Sequence, residues 1–180
     1  MINIISMKHD YSSTQVNFSP SATEEFFSRR KSLINKSDLY KPENGMGFED
    51  DPHVTILTGI HAKHPSIELM EIIETYPKLV VTLGNISIFK GSENYNSFDV
   101  VKVDVRSTDL YVLNYAYAEV CENTQEFSEY IPHCTVAFVK PDTCDHLEGS
   151  NRFSGISFLA DYVIFSAQDG KQRRIFLGQK

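Results

Sequence analysis

Cysteine is scarce and odd in number. The 180 residues hold three, Cys121, Cys134 and Cys144, without a Cys-x-x-Cys spacing. A disulfide scaffold and a thiolate metal site are therefore not expected, and a reducing, cytoplasmic compartment fits. Long apolar runs are also missing. No stretch approaches the roughly eighteen residues that a membrane helix needs, and the first residues lack the basic-then-apolar order of a secretory signal. Membrane contact is thus not expected. Positive charge is short too: Lys+Arg is 17 against Asp+Glu 24, a net charge of −7. Affinity for long nucleic acid comes largely from neutralising many phosphates, so long nucleic acid is not an expected partner. A small anion in an enclosed pocket stays compatible, because local groups decide its binding. Tryptophan is absent, and the 12 Phe and 9 Tyr are too mild a bias to interpret. With 41% hydrophobic residues the composition is ordinary for a globular protein. No linker interrupts the chain, so residues 1–180 are expected to form a single domain of two lobes with a shared core.

What the chain does have is one short pattern, twice: Pro52-His53-Val54-Thr55 followed by Ile56-Leu57, and Pro132-His133-Cys134-Thr135 followed by Val136-Ala137-Phe138-Val139. On a strand, residues two apart point to the same face. Each copy would put an imidazole beside a hydroxyl, with apolar neighbours facing the other way. Cys134 then replaces Val54 as a small inward residue. One His-x-Thr is uninformative. Two copies with the same preceding proline and the same apolar continuation, in separate halves, are hard to obtain by chance. Facing each other across a cleft, they supply two groups that titrate near neutral pH and two hydroxyl donors. Acid–base cleavage of a phosphodiester needs that set, and needs no metal. The acidic run Glu49-Asp50-Asp51 before His53 could raise its pKa, but reads more simply as a solvated turn.

The order of elements is α+β. Tyr11 to Phe18 alternates as a strand. Ser21-x-x-Glu24 reads as a capping box for a helix with an apolar stripe of Phe26, Arg30, Leu33 and Ile34. Lys36 to Pro52 is a loop with Pro42, Gly45 and Gly47, delivering the chain to a strand at His53 to Thr58. His64-Pro65 is expected to open a second helix, burying Leu69, Met70, Ile72, Ile73 and Tyr76. Leu79 to Phe89 and Phe98 to Val105 read as strands around a turn at Gly91 to Asn96. Thr108 is the expected cap of a third helix, with Leu110, Leu113, Tyr117 and Val120 inward. His133 to Val139 is the second motif strand. Tyr162 to Phe165 and Arg174 to Leu177 flank Asp169-Gly170, a hairpin signal.

Pro52-His53-Val54-Thr55-Ile56 and Pro132-His133-Cys134-Thr135-Val136, with the helix and strand order between them, resemble the two-histidine (2H) phosphoesterases, a family that includes RNA ligase-like and 2′,3′-cyclic phosphodiesterase enzymes. The resemblance spans most of the chain. It implies a bilobal α+β fold of two pseudo-symmetric lobes, with antiparallel sheets lining a central cleft and helices outside. It also implies a metal-independent, cofactor-free phosphodiesterase whose catalytic residues are His53, Thr55, His133 and Thr135. The stretches Tyr11 to Asn17 and Asp50 to Gly59 look like a phage-associated branch that includes anti-CBASS phosphodiesterases, which destroy the cyclic oligonucleotide messengers of bacterial antiviral defence. That likeness implies a cyclic di- or trinucleotide substrate in a host cytoplasm. The alternatives are an RNA 2′,3′-cyclic phosphate end and, in another class, a non-catalytic protein that sequesters nucleotides.

In this chemistry one histidine is the base and the other the acid, and the sequence leaves open which is which. Thr55 and Thr135 would hold the non-bridging phosphate oxygens. Base recognition calls for an aromatic platform, for which Tyr11 and Tyr95 are the candidates. Of the remaining histidines, His61 and His64 lack carboxylate partners at metal-ligand spacing, and His9 and His146 read as solvent residues. Oligomeric state is not legible.

Overall fold

The computed structural model describes residues 10–91, 97–124 and 129–179. Eight strands and three helices follow in the order β1 (Ser12–Asn17), α1 (Pro20–Arg30), β2 (His53–Ile60), α2 (Ile67–Thr75), β3 (Leu79–Phe89), β4 (Asp99–Arg106), α3 (Thr108–Val120), β5 (His133–Val139), β6 (Ser157–Ala160), β7 (Tyr162–Ser166) and β8 (Gln172–Phe176). They form two four-stranded sheets of order β2-β1-β7-β8 and β5-β4-β3-β6, antiparallel throughout. Each motif strand is thus an edge strand, reached by a strand–helix–strand path: β1-α1-β2 in one lobe and β4-α3-β5 in the other.

Alternation explains the strands. In β4, Val101, Val103 and Val105 are buried in the common core while Asp104 stays partly exposed. Inward residues of both sheets, among them Val16, Val54, Ile56, Val103, Cys134 and Val136, join Phe26, Leu110, Leu113 and Tyr117 from the helices in one cluster. The Asp169-Gly170 turn closes the β7–β8 hairpin as expected, with Gly170 at φ 80°. Helix α3 is tied to the first motif strand by Asn114, whose Nδ2 donates to the Ile56 carbonyl at 2.7 Å. Its exit is tied there too. Gly59 sits at φ +74°, and a Cβ there would lie 2.0 Å from the Thr124 carbonyl oxygen, so only glycine admits that approach.

Helix starts differ from expectation. Ser19, not Ser21, caps α1: its Oγ accepts from Ala22 N–H at 3.3 Å, with Pro20 in the first turn, where a missing N–H leaves nothing unsatisfied. Ser66 caps α2 by accepting from Leu69 N–H at 3.1 Å, so the helix begins after His64-Pro65. A side-chain acceptor outweighs a preset φ at that boundary. Ser107 takes the capping position of α3 without a side-chain bond, and Thr108 is its first residue. Val120, at that helix's last turn, is 37% exposed. Helix α1 ends at Arg30, so Leu33 and Ile34 extend its apolar stripe from a turn. Strand β6 has no counterpart in the sequence reading. It is four residues long and one of its outward residues, Leu159, is apolar and exposed, which hides the alternation.

Candidate active site

Both motifs open their strands, and their burial runs in parallel. Pro52 and Pro132 are buried, His53 and His133 half-buried, Val54 and Cys134 buried, and Thr55 and Thr135 half-buried. The imidazoles are anchored alike. His53 Nδ1 lies 2.7 Å from the Asp51 carbonyl, and His133 Nδ1 lies 2.7 Å from the Ile131 carbonyl. A carbonyl can only accept, so each Nδ1 carries the proton. Each Nε2 is left to exchange a proton: a base when the ring is neutral, an acid when it is cationic. In both copies the residue between that carbonyl and the histidine is a buried proline. Neither threonine hydroxyl has a hydrogen-bond partner among the described residues, so both can donate to a ligand's oxygen.

The loop from α1 to β2 joins the lobes. Its backbone runs along the free edge of β5: Tyr40 N–H donates to the Phe138 carbonyl at 3.1 Å, Phe138 N–H to Gly47 at 2.9 Å, and Glu49 N–H to Val136 at 3.0 Å. The chain that delivers His53 is therefore registered on the strand that carries His133. Arg30 helps hold that loop. Its guanidinium lies 4.7 Å from the ring centres of both Phe27 and Phe48, and it donates to the Glu49 carbonyl. Tyr130 Oη donates to the Thr55 carbonyl at 2.8 Å, a further link.

His133 titrates below the ordinary histidine range. Burial is the main cause, and the nearby Lys102 ammonium and a proton on His53 act in the same direction, against the Ile131 carbonyl and the Asp104 carboxylate. His53 is thus among the charged groups that act on His133. The acidic run serves mainly through its backbone and solvent-side contacts. The Asp51 carbonyl holds His53, its exposed carboxylate accepts from Asn17 Nδ2 at 3.0 Å at both oxygens, and Asp50 reaches Arg30 at 3.5 Å.

Antiparallel pairing of β1 and β2 sets Asn17 opposite His53 and Ser12 opposite Ile60. Tyr11 therefore lies at the far end of β1. Seven residues along β2, at about 3.3 Å each, separate that end from His53 by about 23 Å. There Tyr11 stacks on His61 with ring centres 5.1 Å apart. The structure does not bring Tyr11 to the two histidines. Tyr95 and His9 lie outside the described residues. Among the described residues an aromatic ring that does stand beside a motif is Phe89, edge-on to His133 at 5.0 Å; the β3 alternation could have pointed to it. His61 Nε2 meets Thr124 Oγ1 at 2.8 Å and its Nδ1 lies 3.3 Å from Glu122. Among the described residues Asp99, Asp142 and Asp145 cluster at metal-ligand separations. The Lys90 ammonium occupies their midst, 3.1 Å from Asp99 and 2.7 Å from Asp142, so the cluster is an ion-pair tie between β3, β4 and the segment after β5.

No protein-family model matches the chain, and no curated protein matches it in sequence. Solved structures do match in shape. Kluyveromyces marxianus Usb1 with uridine monophosphate aligns at TM-score 0.60 and 10% identity, over 93% of this chain and 98% of that one. E. coli LigT complexed with NADP+ aligns at TM-score 0.59 and 14% identity, over 95% and 99%. A phosphoesterase structure aligns at TM-score 0.58 and 16% identity, over 93% and 95%. With 93–95% of the chain covered, it shares the two-sheet α+β fold of these structures.

Proposed function

We propose that the chain is a phosphodiesterase that works by acid–base catalysis between His53 and His133 without a metal. The observation that carries this reading is the identical anchoring of the two rings. Each Nδ1 is committed to a backbone carbonyl, so each Nε2 is a proton carrier, and an unpartnered threonine hydroxyl stands two residues along each strand. One ring accepts a proton from the attacking oxygen and the other returns one to the leaving oxygen. The threonines donate to the non-bridging oxygens, where charge develops.

The first-choice substrate is a cyclic di- or trinucleotide messenger, with a role in countering cyclic-oligonucleotide antiviral signalling from within a host cytoplasm. The likeness of Tyr11 to Asn17 and of Asp50 to Gly59 to the phage branch supports it. So does the net charge of −7, which repels a long polyanion outside the cleft more than a small one. The second reading is an RNA 2′,3′-cyclic phosphate end, favoured by the similarity to a Usb1 structure holding uridine monophosphate. Incubation in EDTA with a panel of cyclic di- and trinucleotides and 2′,3′-cyclic-ended RNAs, with products identified by mass, separates these readings. Catalytic turnover of the cyclic compounds supports the first, and turnover of RNA ends alone supports the second. Stoichiometric depletion without product would replace both with a nucleotide-sequestering protein. A rate that collapses in EDTA and returns with one metal would overturn the metal-free mechanism.

A further inference from the structure

The residues facing each motif from the neighbouring strand occupy equivalent positions in the two lobes. In the first lobe Asn17 lies opposite His53 and Gln15 opposite Thr55. In the second, Asp104 lies opposite His133 and Lys102 opposite Thr135. The flanking backbone corresponds as well: Phe18 N–H donates to the Pro52 carbonyl at 3.3 Å, and Val105 N–H to the Pro132 carbonyl at 3.1 Å. Even the side-chain wiring is repeated. Gln15 Nε2 donates to Asn17 Oδ1 at 2.9 Å, and Lys102 Nζ donates to Asp104 Oδ1 at 2.7 Å. Both donors are buried, Gln15 at 7% and Lys102 at 3% exposure.

The charge is what differs. The first lobe backs its histidine with an amide pair whose outer end meets the exposed Asp51 carboxylate, the second with an ion pair whose ammonium is buried. Ser87 completes the second arrangement, accepting from Lys102 Nζ and donating to Asp104. The ammonium also lies 4.3 Å from the centre of the Phe89 ring, whose edge meets His133. A buried ion pair is weak as a source of stability, because desolvating both charges offsets much of their attraction. The Gln15–Asn17 pair shows that the same wiring can be made without it.

We propose that this exchange gives two similarly anchored histidines opposite roles: Lys102 and Asp104 are positioning residues that make His133 the proton acceptor and leave His53 as the donor. The inference rests on the phosphodiesterase reading. Asp104 alone, facing His133, would favour the imidazolium; Lys102 more than offsets it. Among the described residues the charged groups acting on His133 are then Lys102 and Asp104 from β4 and His53 from β2, with Phe89 from β3 an uncharged neighbour. The lowered affinity of His133 for a proton agrees with this balance. In the step that follows, His133 Nε2 takes the proton of a ribose 2′-hydroxyl as its oxygen bonds to phosphorus. The bond from phosphorus to the leaving 5′-oxygen breaks, and that oxygen takes the Nε2 proton of His53. The product is a 2′,3′-cyclic phosphate and a 5′-hydroxyl, with the proton moved from His53 to His133. Water opening the ring, losing a proton to His53 while the departing 2′-oxygen takes one from His133, restores the pair.

The test is an NMR titration of the imidazoles of the full chain without substrate, assigned with His53→Gln and His133→Gln. Lys102→Met should raise the His133 midpoint by about one pH unit, Asp104→Asn should lower it, and Lys102→Gln with Asp104→Asn, which gives the second lobe a neutral pair, should raise it by less than Lys102→Met does, because the lysine's effect is the larger of the two. If Lys102→Met does not fold, the other two variants still decide. A His133 midpoint unmoved in the variants would overturn the wiring, whether or not the chain cleaves anything. Where it does cleave, the acid limb of the rate profile should follow the His133 midpoint from variant to variant. A limb that follows His53 instead would reverse the roles.

Discussion

His53 and Cys134 act on each other across the two motif strands: the His53 backbone N–H favours the thiolate of Cys134. The first residue of one motif strand thus acts on the second residue of the other, and Cys134 is fully buried there. Burial outweighs that effect and pushes the thiol well above the ordinary cysteine range, so the sulfur, which donates to the Thr135 carbonyl at 3.5 Å, is a packing atom and not a nucleophile. The two catalytic candidates are therefore joined through the thiol as well as through the loop before His53.

Replacing Cys134 tests that contact. Cys134→Val installs the side chain that the first lobe has at Val54, but removes the polar sulfur and adds volume to a filled site. It should lower stability by about 1–3 kcal/mol and reduce turnover by shifting His53. Cys134→Ser, which keeps a polar atom there, should retain more activity at comparable stability loss. Urea unfolding and steady-state rates of the two variants check this; equal activity in both would mean that the sulfur contact does not position His53.

Each motif histidine should be needed. General acid–base catalysis contributes typically about 10²–10⁴-fold, so His53→Ala and His133→Ala should each lose about that much turnover. Both remain folded, since each ring is half-buried at a strand start. The double variant should lose little more than either single, because the rings act as a unit. Near-normal turnover in either single variant, by product mass, would refute the assignment.

Rate should depend on pH as a bell. The acceptor must be neutral and the donor protonated. With burial holding His133 below the usual histidine range, its lone pair is available at neutral pH, and the rate should fall as pH drops through that lowered value. At high pH the rate falls as the donor loses its proton. The limbs are macroscopic properties of the pair. A profile flat across both limbs, with chemistry shown to be rate-limiting, would exclude the two-histidine mechanism.

Attack by the neighbouring 2′-hydroxyl is favoured by proximity: it is already held close to phosphorus. A 3′–5′-linked cyclic substrate lacking that hydroxyl should therefore bind yet resist cleavage. Binding and hydrolysis measured beside the ribose compound check this. Rapid hydrolysis of the deoxy analogue would mean that water attacks directly.

Tyr117, fully buried in α3, has no hydrogen-bond partner for its Oη among the described residues. An unpaired buried hydroxyl costs about 1–3 kcal/mol, so Tyr117→Phe should raise the urea midpoint at unchanged slope. A lower midpoint would mean that the hydroxyl is paired.

Local patterns were legible in the chain itself. β-favouring residues placed β3 at Leu79–Phe89, and the second motif with its apolar continuation placed β5 at His133–Val139, with their observed bounds; the two-residue period put Cys134 inward and His133 outward. The repeated Pro-His-x-Thr was enough to single out His53 and His133, because a proline, an imidazole and a hydroxyl at fixed spacing on one strand need no distant residue to share a face. Registration between strands was not legible, since it depends on residues far apart in the chain. It is the antiparallel pairing of β1 with β2 that carries Tyr11 away from His53 and brings Asn17 and Gln15 beside the first motif. The pairing of β4 with β5 likewise brings Lys102 and Asp104 beside the second. The sequence by itself determined which side chains are the candidates to move a proton. Only the tertiary structure decided what charge stands behind each of them, because that charge comes from the neighbouring strand.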